Sequence, residues 1–293
     1  MRCVGLALVK PFARLVAALP QSCLLRLAYV LSWLAAPLLS RRRRIARINL
    51  EVCFPELSAD ARQALLRANE QATMMGLFEL LRAWFATPSR VAGMAHVEGL
   101  DLLREAIASG RGVLLLTAHF TCTELAARLV SESLGKPVRV VVRRNNSACM
   151  EAWLERARAR VFGPTLAKKD VRGLLRSLQS GDAVVYSADQ NFTYQNAFVP
   201  FFGVPAATLT STPDLLRRAG AAMLVFFFHR EDDGSYCLRI MPAWPEWTGG
   251  DPVSAAAAYM TALEQEVRRH PAQYLWFHRR FKTRPPGQPD LYT

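Results

Sequence analysis

The segment GVLLLTAHFTCTELAARLV, residues 112–130, decides the fold. An apolar run ends at His119, Glu124 follows five positions later, and the pattern then turns helical. GVLLLTA is short and β-prone, so it reads as a buried strand, and TELAARLVSESL has the apolar spacing of an amphipathic helix stopped by Gly135. A strand passing straight into a helix is the first half of a βαβ unit.

The same alternation continues to the carboxyl end. PVRVVVR is strand-like, ACMEAWLERARAR and DVRGLLRSLQSG are helical, and DAVVYSA is a second buried strand. A loop over 189–207, a helix over 211–219, the strands AMLVFFF and YCLRIMP and the long helix VSAAAAYMTALEQEVRRH follow. Residues 59–86 read as two helices, the first capped by Ser58. Strands and helices alternating at these lengths predict an α/β fold: a mainly parallel central sheet flanked by helices. Ligands of such sheets bind at the carboxyl ends of the strands, which is where His119 falls.

His119 in that loop can fold back toward Glu124 in the first helical turn. A carboxylate on one imidazole nitrogen fixes the tautomer and raises the basicity of the other, giving a general base with no adjacent nucleophile, suited to activating a substrate hydroxyl. By spacing alone, a helix-capping Glu and a satisfied His give the same pattern. The chain has no GxSxG, GxGxxG or P-loop motif, which excludes the corresponding hydrolases, dinucleotide folds and kinases. The six cysteines (Cys3, Cys23, Cys53, Cys122, Cys149 and Cys237) show no zinc-ligand spacing, and Cys122 reads as a buried thiol rather than a nucleophile.

The first fifty residues differ from the rest. They contain no acid, carry an uncharged run over 27–39, LAYVLSWLAAPLL, and then meet Arg41, Arg42, Arg43 and Arg44. The run is short of the roughly 20 residues that span a bilayer. A membrane helix with 41–44 on the cytoplasmic side obeys the positive-inside rule, and an in-plane amphipathic anchor is the alternative. A cleaved signal peptide fits poorly, because the apolar run ends in arginines instead of small residues. The expected division is an anchor with a basic flank over 1–50 and one domain over 51–293. The net charge of +13 favours polyanionic partners. The apolar run beside the arginines points to an anionic membrane surface and away from nucleic acid.

HFTCTE at 119–124 resembles the H-x4-D/E motif of glycerolipid and lipid A acyltransferases. RRIARINLEVCFPELS (43–58), VRRNNSACMEAWLERARAR (142–160), KKDVRGLLRSLQSGDAVVYSADQN (168–191), FVPFFGVPAATLT (198–210) and QYLWFHRRFKTRPPG (273–287) fall in the order seen in the late lipid A acyltransferases of the lauroyl/myristoyl type. The resemblance covers roughly residues 40–293. It implies a glycerolipid-acyltransferase-like fold and acyl transfer from acyl carrier protein to a hydroxyacyl chain of a lipid A precursor. It places the reaction on the cytoplasmic face of the bacterial inner membrane, with no metal or other cofactor. On that basis His119 and Glu124 are the catalytic pair. Backbone amides near Phe120 and Thr121, or Arg143, would hold the oxyanion, and Arg143 could instead bind an acceptor phosphate. Asp189 matches a family aspartate, although Gln190 stands where relatives can carry His. Arg279 and Arg280, with Lys282 and Arg284, form a basic cluster suited to docking phosphates or an acidic carrier. Phe198, Phe201 and Phe202 read equally as acyl channel or plain core. A glycerolipid or other glycolipid acyltransferase, or an inactive membrane-tethered polyanion binder, is the alternative.

Overall fold

The computed structural model describes residues 4–293. The chain begins with four helices: α1 (Val4–Ala18), α2 (Gln21–Ala35), α3 (Ser40–Cys53) and α4 (Ala59–Phe85). A single turn, α5 (Pro88–Val91), leads into β1 (Ala95–Glu98), α6 (Leu100–Ala108), β2 (Val113–Thr117), α7 (Thr123–Leu134), β3 (Arg139–Val142), α8 (Ala148–Phe162), β4 (Leu166–Ala167), α9 (Val171–Gln179) and β5 (Ala183–Ser187). The hairpin β6 (Asn196–Phe201) and β7 (Val204–Leu209) follows, then α10 (Thr212–Ala219), β8 (Ala222–Arg230), β9 (Tyr236–Pro242), the short α11 (Glu246–Gly249) and α12 (Pro252–Arg269).

Seven strands form one sheet in the order β1-β9-β8-β2-β5-β3-β4. Val113 of β2 stands beside Ala183 of β5 and Ala222 of β8, in parallel register on both sides. Every residue of β2 is buried, as befits a central strand covered on both faces. The sheet is therefore mainly parallel, as the alternation predicts. It departs from that at one edge, where β9 runs antiparallel to β8. Residues 231–235 join them, too few for a crossover, and the chain turns back at Gly234 with φ +87°.

Two further expectations need correction. Residues 59–86 form one continuous helix, with the Ser58 hydroxyl accepting the Ala61 amide at 3.1 Å. The expected loop over 189–207 contains the β6–β7 hairpin, closed by positive φ at Phe202 and Gly203. Phe202 tolerates that backbone because its amide donates to Glu264 at 2.6 Å and its ring packs against Phe54, Phe201 and Trp276. Phe201 and Phe202 are thus core, while Phe198 is 38% exposed.

The amino-terminal helices form a bent arm. Among the described residues no single helix is long and apolar enough to cross a membrane. Lys10–Ala18 and Gln21–Ala35 would qualify only as a pair, and they meet at 116° across Leu19 and Pro20. One face of the arm packs Val16, Leu24 and Ala28 on Met75 of α4. The other leaves Phe12, Leu15, Tyr29, Trp33 and Leu38 exposed, Trp33 at 77% and Leu38 at 87%. A buried polar network pins the bend. Arg82 donates to the Leu19 carbonyl at 2.7 Å and to the Gln21 side chain, and Gln21 donates to the Tyr236 hydroxyl at 3.2 Å. Tyr236 in turn donates to Glu79 at 2.8 Å.

α3 continues unbroken through position 50 and buries Ile45, Ala46 and Leu50 in the main core. Its Asn49 is 1% exposed and fully bonded. The amide donates to the carbonyls of Trp276 and His278 at 2.7 and 2.8 Å, and the oxygen accepts the Tyr292 hydroxyl at 2.6 Å. Asn69 of α4 makes a matching pair of bonds to the carbonyls of Ala272 and Tyr274. The two asparagines clamp the carboxyl-terminal segment against α3 and α4. Replacing Asn49 with Ala strands two buried carbonyls and a hydroxyl, and should lower the unfolding free energy by roughly 3 kcal/mol, measured by denaturant titration in detergent.

Candidate active site

β2 and β5 are adjacent and parallel, so the residues just past their carboxyl ends, His119 and Asp189, emerge side by side. After β2 the chain builds one side of the sheet, and after β5 it crosses to the other, which opens a crevice at this point. The Asp189 carboxylate holds His119 twice. Oδ1 lies 2.6 Å from Nδ1 of the ring, and Oδ2 accepts the His119 backbone amide at 3.0 Å. Asp189 is 2% exposed, and the His119 side chain is 33% exposed. Burial opposes the Asp189 charge, but His119, through its charge and its hydrogen bonds, holds the pKa down at about 2. The ionised carboxylate calls for the Nδ1–H tautomer, leaving Nε2 as the open base.

The loop carrying His119 is supported from behind. Leu275 donates its amide to the His119 carbonyl at 3.0 Å, and Thr121 donates to the Gln273 carbonyl at 2.9 Å. Gly76 of α4 lies under Thr121, where a Cβ would come within 2.7 Å of the Thr121 carbonyl oxygen. The Tyr259 hydroxyl donates to the carbonyl of Thr117 at 2.7 Å.

The expected partner, Glu124, is elsewhere. Arg158 of α8 forks onto it with contacts of 2.6 and 3.1 Å, and the Trp84 indole donates to it at 2.6 Å. The pairing read from H-x4-E is therefore corrected: the carboxylate on His119 belongs to Asp189, and Glu124 ties α7 to α8 and α4. A guanidinium in the middle of α8 outcompetes a ring that points the other way. The expected oxyanion donors are also corrected. The Phe120 amide donates to Ala118 and the Thr121 amide to Gln273, so neither is free.

The crevice carries other polar groups. Gln190 Nε2 is 3.3 Å from Nε2 of His119, and Gln190 Oε1 accepts Lys168 Nζ at 3.3 Å. Burial lowers the Lys168 pKa, Asp189 pulls it back up, and Arg143 pushes it down. Arg143 is exposed and, among the described residues, makes no hydrogen bond or ion pair. His278 accepts the Asn191 amide on Nε2 at 3.1 Å, and burial, the largest effect, takes its pKa down to about 4. Lys168, His278, Arg158 and Trp84 carry no local pattern that marks them, because their elements meet only in the folded chain.

The carboxyl-terminal basic cluster separates into two kinds. Arg280 is 2% exposed and donates to the Ala207 carbonyl at 2.8 Å, the Thr208 hydroxyl at 2.6 Å and the Gln190 carbonyl at 3.4 Å. It is a structural brace of the Gln190 loop, and its expected docking role is withdrawn. Arg279 lies over the Tyr292 ring at 5.5 Å and is partly exposed, and Lys282 is exposed. Cys122 is buried and its thiol pKa is driven up by burial, then by Glu79, so it is no nucleophile.

A mainly parallel α/β sheet with an Asp-held histidine at its carboxyl edge is an arrangement chemically able to act as a general base on a substrate group. The chain belongs to the bacterial lipid A biosynthesis acyltransferase family, whose description matches residues 2–283. It is 39% identical to the lipid A biosynthesis palmitoleoyltransferase of Escherichia coli K12 over 278 residues, 94% of this chain and 90% of that one. It is 37% identical to the lipid A biosynthesis lauroyltransferase of the same organism over 284 residues, 95% and 91% of the two chains. A lipid A biosynthesis acyltransferase of Haemophilus influenzae is 34% identical over 287 residues, 95% and 91%. The chain is an acyltransferase of lipid A biosynthesis.

The depressed pKa of His278 makes stability depend on pH. Between its ordinary 6.5 and about 4, the unfolded chain binds a proton that the folded site refuses. Stability from this group is therefore complete above 6.5 and lost as pH falls toward 4. From about pH 7.5 to about pH 4.5 the wild type should lose about 2–3 kcal/mol more than His278→Gln, by denaturant unfolding at the two pH values.

Proposed function

We propose that the enzyme moves a fatty acyl group from an acyl carrier protein thioester to the hydroxyl of a hydroxyacyl chain on a lipid A precursor, at the cytoplasmic face of the bacterial inner membrane. The observation that carries this reading is the Asp189–His119 pair, which leaves Nε2 facing a crevice in a chain of this family. His119 Nε2 takes the proton as the lipid hydroxyl oxygen attacks the thioester carbonyl. The tetrahedral adduct collapses, the carbon–sulfur bond breaks, and the imidazolium returns the proton to the departing thiolate. Asp189, ionised throughout, stabilises the imidazolium without taking its proton.

In this reading the Gln190 carboxamide occupies the place of the acceptor hydroxyl and yields it on binding. Lys168 and Arg143 flank the crevice as cations for the oxyanion or for an acceptor phosphate. Arg279 and Lys282 remain as exposed charges for an acidic carrier or a phosphate. Glu124 serves by fixing the first turn of α7, next to the His119 loop. The arm formed by α1 and α2 lies in the membrane plane, with Tyr29, Trp33 and Leu38 in the interface. Arg41, Arg42 and Arg44 are exposed and add roughly 1 kcal/mol each at an anionic surface, whereas Arg43 is held by Glu70. The bend favours this in-plane placement over a single span.

The test is an assay of vesicle-reconstituted enzyme with acyl carrier protein thioester and purified lipid A precursor. His119→Ala should abolish transfer. Asp189→Asn should lower kcat by about 100-fold or more, within the range for losing a base's partner. Glu124→Gln should retain more turnover than Asp189→Asn and lose thermal stability. The reverse ranking would return Glu124 to the position of acid partner. Transfer only to lysophosphatidate would mean a glycerolipid acceptor instead.

A further inference from the structure

The sheet has two unlike faces. The crossovers β2–α7–β3 and β3–α8–β4 run toward the β4 edge, and those through α9 to β5 and through α10 to β8 run back. Right-handed crossovers in opposite directions lie on opposite faces. α7 and α8 therefore cover one face, where α4 packs on them and α1 and α2 pack on α4. α9 and α10 pack together on the other.

A cationic surface begins where this second face meets the crevice. β3 and β4 are parallel neighbours with Val142 beside Ala167, so Arg143 and Lys168 leave the sheet side by side. The Lys168 amide donates to the Val142 carbonyl at 2.8 Å. Lys169 and Arg172 follow at the start of α9, and both are exposed. The side chains of Arg143, Lys169 and Arg172 make no hydrogen bond or ion pair among the described residues. Asp170 is the only acid in 168–179, and its carboxylate accepts the Gly173 amide at 2.8 Å as the cap of α9. The nearby Asp189 is taken by His119. Two apolar side chains belong to the same surface. Val171 is 56% exposed and so is Tyr194, whose ring meets Phe192 at 5.9 Å, and Lys168 lies over the Phe192 ring at 4.8 Å. Exposed apolar groups with a charged rim are the anatomy of a protein–protein interface.

Charge makes the partner anionic, and position makes it a soluble protein. The start of α9 lies across the sheet from the arm, farther than the Debye length of about 8 Å at physiological salt, so an anionic bilayer met by the arm is screened from it. In the order β2-β5-β3-β4, the inner end of the surface stands three strand spacings, roughly 14 Å, from His119. A partner seated there leaves the crevice open and delivers its reacting group on an extended arm. Resting on the acyl transfer proposed above, we infer that the acidic acyl carrier protein docks on this surface. Lys169, Val171 and Arg172 lie beneath it, and its thioester arm passes Arg143 and Lys168 to reach His119. The donor then arrives from the water side and the acceptor from the membrane side, so both occupy the enzyme at once. The assignment leaves Arg279 and Lys282 to a phosphate.

The experiment uses the full chain in detergent and holo acyl carrier protein carrying a fluorophore, followed by anisotropy. The wild type should bind it, and binding should weaken as salt is added. Lys169→Glu combined with Arg172→Glu reverses two exposed charges that hold nothing in the fold, so the melting temperature should stay at the wild-type value. The double variant should bind the carrier at least about tenfold more weakly. Its KM for the carrier thioester should rise by a similar factor with kcat unchanged, whereas KM for acyl-pantetheine, which lacks the protein, should not move. Flotation on phosphatidylglycerol vesicles should also be unchanged. Carrier affinity unchanged in the double variant, or no carrier binding by the wild type, would overturn the inference. Loss of flotation with carrier affinity kept would make the surface a membrane contact, and an equal rise in both Michaelis constants would make it part of the crevice. A wild type that binds the carrier but transfers no acyl group would sink the acyl-transfer reading, and loss of that binding in the double variant would leave the docking surface standing.

Discussion

The arrangement rests on one buried carboxylate. Asp189 is withdrawn from water, which costs several kcal/mol for an isolated charge. It keeps its charge because both of its oxygens are engaged by one residue, the ring through Oδ1 and the backbone amide through Oδ2. The second bond matters as much as the first. An aspartate that held only the ring would permit rotation of the loop about it, whereas holding the amide as well fixes the ring relative to its own main chain. The orientation of Nε2 is then a property of two parallel strands, β2 and β5, and not of a flexible side chain.

Such a carboxylate also needs a rigid cradle, and the last part of the chain supplies it. Residues 272–283 run across the mouth of the sheet. Asn49 and Asn69 hold this segment from one side, and on the other it supports the His119 loop through Leu275 and Gln273. Arg280 and the paired bonds between Asn191 and Thr283 fix the loop that follows Asp189. The burial of Arg280 is part of the same design. Its guanidinium satisfies the Gln190 carbonyl and gives the Ala207 carbonyl a second donor beside the Phe192 amide.

What was legible in the sequence follows period and punctuation. The apolar run before His119, the cap at Ser58 and the alternation after residue 112 gave a parallel sheet and put His119 and Asp189 at strand ends. The identity of His119's partner was not legible. H-x4-E places a carboxylate nearby in the chain, but Arg158, thirty-four residues beyond Glu124, takes it first. Likewise a run of four basic residues at 279–284 looks uniform in sequence, and only packing sends Arg280 inward while Lys282 stays in water. The reversed β9 and the unbroken α4 were hidden for a related reason: a five-residue turn and an interior helical glycine have local signals that tertiary contacts override.

The bent arm and the site are mechanically one body. Arg82, Gln21, Tyr236 and Glu79 form a continuous polar chain from the bend at Leu19 to β9, and Arg230 donates to Glu79 from the end of β8. Arg230 shares its backbone bonds with Gln273, and Gln273 holds Thr121 beside His119. An arm tied this way cannot swing freely relative to the crevice, because every hinge position would break buried charged hydrogen bonds. In the proposed in-plane placement, a membrane surface met by the exposed face of α1 and α2 would therefore set the height and tilt of the crevice above the lipid. For the proposed acceptor, with its reacting hydroxyl at a fixed depth in a bilayer, that rigidity would do the work that a deep enclosed pocket does for a soluble substrate.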